Sequence, residues 1–111
     1  MAAAAESNAP TPGFTVTVAD GARVVVTGEL DLLTGPQLQE ALTKLLDERR
    51  SSRIIADLTG VTFFDSSALN VLLQAQRQAA ELQVALSVVP SRQVRRVIEL
   101  TGVAEHLELT P

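Results

Sequence analysis

Asp65, Ser66 and Ser67 stand in a row within FFDSSALNVLL, residues 63 to 73. There an apolar run that reads as a buried strand gives way to helical spacing. Side chains of these types at a strand-to-helix junction can do two things. They can accept the free N–H groups of the first helical turn, or a hydroxyl can be presented to a partner. Ser66 has a particular electrostatic position. First-turn N–H groups and the helix dipole favour negative charge, so a phosphate there is compatible with the helix. Phosphorylation adds about −1.5 to −2 charge. Beside Asp65, that charge would disturb a docked partner. Capping accounts for one of the two leading residues, Asp65 or Ser66. The residues alone leave the other open.

Two further groups carry potential chemistry. In GELDLLTGPQL, residues 28 to 38, Glu29 and Asp31 follow a strand at the edge where βα loops open. A turn followed by a helix cap explains them equally well. Arg92, Arg95 and Arg96 share one face of a C-terminal helix. They suit a solvated face, with Arg95 and Glu99 at pairing distance, or a dock for an acidic partner.

Catalytic signals are thin. The single histidine, His106, lies near the C-terminus, and no G-x-S-x-G elbow surrounds either serine. Neither G-x-x-x-x-G-K-[ST] nor G-x-G-x-x-G occurs, which argues against a self-contained nucleotide site. Metal ligation lacks a histidine pair. The carboxylates of Glu29, Asp31, Asp57 and Asp65 could approach one another at strand ends, but solvated strand-end carboxylates are the plainer reading. The expectation is a binding protein without cofactor or metal, not an enzyme.

The bulk properties agree. At 111 residues the chain suits one domain, and 46% apolar residues suffice for one core. With no Trp or Tyr and three Phe, the core is aliphatic and base-stacking platforms are lacking. The net charge of −4 opposes a nucleic-acid footprint. The absence of Cys removes disulfides and thiolate chemistry. No apolar run has the length of a membrane span. MAAAAESNAPTPG lacks the basic and apolar regions of a signal peptide. Residues 1–13 therefore read as a flexible tail, residues 14–111 as the domain, and the cytoplasm as its location.

Periodicity supplies the elements that hold these residues. FTVTV (14–18) alternates as a half-buried strand. Asp20-Gly21 signals a hairpin turn into ARVVVTGEL (22–30). Thr34, Gly35 and Pro36 open a helix, with Thr34 as its capping hydroxyl, and Leu38, Ala41, Leu42, Leu45 and Leu46 on its inner face. RIIADL (53–58) is a third strand, interrupted by Thr59-Gly60 before VTFF. A helix from about Ser67 to Leu82 turns Leu69, Leu72, Leu73 and Ala79 or Ala80 inward. VALSVV (84–89) is the fourth strand. Pro90-Ser91 starts a third helix, with Val94, Val97, Ile98 and Thr101 on one face and Gly102 at its end. HLEL closes as a short strand. The order predicts an α/β fold: a mostly parallel sheet of four to five strands, an antiparallel N-terminal edge strand and about three helices.

GELDLLTGPQLQEAL, RIIADLTGVTFFDSSALNVLL and VVPSRQVRRVIELTGV, in this order and spacing, resemble the STAS domain of bacterial anti-sigma-factor antagonists. The likeness spans roughly residues 14 to 109. It implies a phosphorylation-controlled switch. The unmodified protein binds an anti-sigma factor, a serine kinase with a histidine-kinase-like ATPase fold, and frees the sigma factor. Phosphorylation ends the complex, and a phosphoserine phosphatase resets it. The family's modified residue directly follows the junction aspartate, which assigns phosphorylation to Ser66. It implies a partner surface of Asp31, Asp65, Ser66, Ser67, Ala68 and Asn70, with Asp31 helping to engage the kinase and Ser67 opening the helix. Ala68 and Asn70 stand where the family often has glycines, which alters how closely a partner backbone can approach. A role as an accessory subunit of a transporter or as a signalling scaffold remains the alternative, ahead of a small hydrolase.

Overall fold

The computed structural model describes residues 13–49 and 51–110. Of the proposed tail, residues 1–13, all but Gly13 lie outside them. Five strands, β1 (Thr15–Ala19), β2 (Arg23–Leu30), β3 (Arg53–Phe64), β4 (Ala85–Pro90) and β5 (Glu108–Leu109), form one sheet in sequence order. β1 is antiparallel to β2, and every other neighbouring pair is parallel. Helices α1 (Gly35–Glu48), α2 (Ser66–Glu81) and α3 (Arg92–Thr101) connect the parallel strands. A short 3-10 turn, Ala104–His106, precedes β5.

The β1–β2 hairpin turns at Asp20 and Gly21, both at positive φ (57° and 71°), and closes through Ala22 N–H to the Ala19 carbonyl. Such primed turns match the right-handed twist of the strands. Across the parallel strands, Val24, Ala56 and Val88 stand in register and are fully buried. α1 adds Leu38, Leu42, Leu45 and Leu46, and α2 adds Leu69, Val71, Leu72, Ala75 and Ala79. Each fully buried leucine contributes roughly 1.5–3 kcal/mol of transfer free energy. α1 and α2 pack on each other, while α3 lies along β3 and buries Val94 and Ile98. The alternate sheet positions carry polar pairs: Arg23 with Asp57 (3.0 Å), and Arg53 and Glu108 with Ser87 (2.7 and 2.8 Å).

Four sequence expectations change in detail. β3 is continuous from Arg53 to Phe64, although Thr59-Gly60 suggested a break. The chain instead slips register there. Val25 pairs with Asp57 but Thr27 pairs with Gly60, so β3 holds one extra residue. A Cβ at position 60 would lie 2.8 Å from the Thr27 methyl, so any larger residue there must displace that side chain. Thr34 precedes α1 without a side-chain cap bond, because its hydroxyl is spent on the loop before it. Thr101 is exposed, returning its hydroxyl to the Val97 and Ile98 carbonyls, which keeps it off the inner face. Of the alanine pair in α2, Ala79 is buried and Ala80 exposed.

Gly28 sets the exit of β2 toward the loops that follow. Its φ is 98°, and a Cβ would stand 1.9 Å from the Gly13 carbonyl oxygen. Gly28→Ala must therefore displace the strand lead-in and hold a strained φ. A loss of about 2 kcal/mol or more is expected, read as a lower urea midpoint with unchanged slope.

Candidate functional site

β2 and β3 run parallel, so their C-terminal ends emerge together, with Leu30 paired to Phe64. The loop after β2 and the junction after β3 are therefore neighbours. The Asp65 N–H bonds back to the Leu30 carbonyl (3.4 Å). This brings Asp31 and the Asp65-Ser66-Ser67 run to one edge of the sheet.

Asp65 is the N-cap of α2. Its backbone is extended, and its Oδ1 accepts from the Ala68 N–H (3.0 Å) and the Ser67 hydroxyl (2.6 Å). Burial pushes its carboxyl up. Bonds from the Ser67 hydroxyl and the Ala68 and Ser67 N–H groups outweigh that, helped by the Leu32 N–H of the neighbouring loop. The carboxyl is thus held below the usual carboxylate range. The question left open by the sequence is resolved in favour of Asp65 as the cap. Ser66 follows as an exposed first-turn residue, and Ser67 is half-buried with its hydroxyl committed to Asp65.

Asp31 organises its own loop. Its Oδ1 accepts from the Leu33 and Thr34 N–H groups (3.0 and 3.1 Å), and its carbonyl from the Gly35 N–H (2.7 Å). The Thr34 hydroxyl donates to the Glu29 carbonyl (2.8 Å) and accepts from the Asp31 N–H (2.9 Å). Thr34 is accordingly one of two buried polar residues among those described, and its hydroxyl is satisfied on both sides.

The remaining expected residues separate. Ala68 is fully buried, so its side chain offers nothing to a partner and serves the core instead. Asn70 is exposed, but it lines a groove along α2 with Leu73, Gln76, Arg77, Ala80 and His106. Asp57 is held by Arg23 and Thr59 within the sheet. Among the described residues no three His, Asp or Glu side chains are grouped to hold a metal. His106 is an exposed neighbour of Glu105 (4.0 Å). Arg95 reaches the Thr110 carbonyl (3.4 Å).

Sequence reasoning passed over Leu32 and Leu33, which are 77% and 74% exposed at the tip of the Asp31 loop. The available signal was two consecutive leucines between loop-forming Asp31 and Thr34.

The sequence pattern that defines the STAS domain matches residues 14–111. The chain belongs to the STAS-domain family. Its relatives in this family include the anti-sigma-F factor antagonist RsfB of Mycobacterium tuberculosis, 34% identical over 100 residues, or 86% of this chain and 80% of that one. The anti-sigma-B factor antagonist of Listeria monocytogenes is 30% identical over 87 residues, 78% of this chain and 75% of the other. Among solved structures, an anti-sigma factor antagonist from Mycobacterium paratuberculosis superposes with a TM-score of 0.75 at 28% identity, covering 93% and 91% of the two chains. The mixed sheet and three helices are those of the STAS fold. No helix among the described residues is long and apolar enough to cross a membrane.

Removing the Asp65 cap in this STAS domain should cost about 1–2 kcal/mol at neutral pH. The pH dependence follows from its lowered proton affinity. The contribution of ionised Asp65 is complete above its unfolded pKa of roughly 4 and is lost as pH falls through the lower folded value. The stability gap between wild type and Asp65→Ala, from urea unfolding, should shrink on acidification below about pH 4. Asp57 and Glu108 titrate alike in both proteins and cancel in this difference.

Proposed function

We propose that this STAS domain is an anti-sigma-factor antagonist whose docking is governed by phosphorylation of Ser66. In the unmodified state it binds a kinase-type anti-sigma factor and releases the sigma factor. The observation that carries this reading is the contrast at the start of α2. Asp65 and Ser67 are bonded to each other, while Ser66 between them is exposed. The names of its relatives support the same role.

The chemistry asks little of this chain beyond presentation. The Ser66 Oγ attacks the γ-phosphorus of ATP held by the partner, the bond to the β–γ bridging oxygen breaks, and ADP leaves. The hydroxyl proton passes to a base on the partner. Asp65 is a poor candidate for that base, because its carboxylate is occupied by the cap and weakly basic. The product carries about two negative charges facing the partner's nucleotide phosphates, beside Asp65. Repulsion and the cost of desolvating the phosphate then oppose docking. A phosphoserine phosphatase would restore the binding form.

Pull-down from native lysate with wild-type, Ser66→Ala and Ser66→Glu baits tests this. A soluble kinase-type anti-sigma factor should be held by the first two and lost by the third. Labelled ATP should mark wild type and leave Ser66→Ala unmarked. Continued labelling of Ser66→Ala would move the site off Ser66. Equal capture by Ser66→Glu, or capture of a transporter subunit alone, would sink the switch. Ser66 is exposed, so Ser66→Ala should unfold within about 0.5 kcal/mol of wild type.

A further inference from the structure

Leu32 and Leu33 are among five large apolar side chains exposed in the described residues, with Val18, Phe63 and Leu100. They differ from the others in how they are held. They sit at the tip of a closed loop in which Asp31 binds the Leu33 and Thr34 N–H groups, and Thr34 is bonded to Glu29 and Asp31. Folding gains little from two leucines left in water. A loop held by these bonds presents them already ordered, and pre-ordering reduces the entropy lost on docking. Leu33 borders a depression lined by Phe14, Gly28, Glu29 and Thr62, whereas the Leu32 N–H faces Asp65. The pair thus bridges the acidic side of the loop and the Ser66 junction.

Charge describes what covers them. Residues 27–34 and 61–70 contain Glu29, Asp31 and Asp65 but no Lys or Arg. We propose that Leu32 and Leu33 are the apolar anchors by which this chain selects its partner, a protein with an apolar cleft rimmed by Lys or Arg on the Glu29–Asp31 side. The partner is the same kinase-type anti-sigma factor, so the inference rests on the function proposed above. Ser66 serves as the switch, and the leucine pair supplies selectivity and most of the apolar contact. Exposed apolar groups beside a polar rim are the usual composition of a docking centre.

The test measures the dissociation constant of the captured kinase for wild type, Leu32→Ser, Leu33→Ser, Leu32→Met, Leu100→Ser and Ser66→Glu. Each serine variant of the loop should bind about ten-fold or more weakly, as expected for a leucine buried on docking. Leu32→Met should restore most of the affinity, and Leu100→Ser on α3 should bind within about two-fold of wild type. The melting temperatures should stay within about 2 °C, since both leucines are exposed. As substrates, the loop variants should show a raised KM with little change in kcat, the signature of lost uniform binding. If Leu32→Ser and Leu33→Ser bind like wild type while Ser66→Glu is lost, the anchor proposal is overturned and the switch survives. If the loop variants are lost while Ser66→Glu binds normally, the anchors stand and the switch falls. A chain that binds no kinase in any form overturns both.

Discussion

The Asp65 carboxylate closes the first turn of α2, and the same residue's N–H holds the end of β2 through the Leu30 carbonyl. One residue thereby joins a strand, a helix and the loop between β2 and α1. Its charge is favoured by several donors and by the helix terminus it faces. Protonation or removal of that carboxylate would loosen more than a cap, because the relative placement of Ser66 and the Asp31 loop runs through it. The neighbouring Ser66 is exposed.

The sheet makes this junction possible. Parallel pairing brings the ends of β2 and β3 to a common edge, and the register slip near Gly60 adjusts how far β3 reaches. β4 stops opposite Leu58, six residues short of the end of β3. α3 then follows β4 and packs along β3. The polar side of the sheet is tied by Arg23–Asp57 and by Arg53, Ser87 and Glu108. Where only one partner of such a pair remained, the desolvated group would be costly. The edge that carries Ser66 and the Asp31 loop is therefore mounted on a frame of buried aliphatic contacts and satisfied polar pairs.

Local roles redistribute between neighbours with similar side chains. Thr34 has the chemistry of a helix cap, yet its hydroxyl is buried between Glu29 and Asp31 and closes the loop. Ser67 could have been the presented hydroxyl, yet it leans onto Asp65. Ala68, the next residue, faces the core. Short polar side chains offer several local bonds of similar strength, each worth about 1 kcal/mol. Packing of the elements around them decides which bond forms.

Periodicity and turn chemistry were enough to order the strands and helices, because each amphipathic face has only one way to reach a common core. The alternation of strand and helix implied the parallel sheet, and the Asp-Ser-Ser run marked its junction as a candidate site. Tertiary structure alone decided that β3 continues through Thr59-Gly60, since the close approach of Thr27 to Gly60 exists only once the strands pair. It also decided which junction residue caps and which is exposed, and that Leu32 and Leu33 stay in water. Leucines in a row read equally well as core. Their exposure depends on the loop closed locally by Asp31 and Thr34 and on the neighbour that parallel pairing brings beside it, a contact between segments that no local pattern encodes.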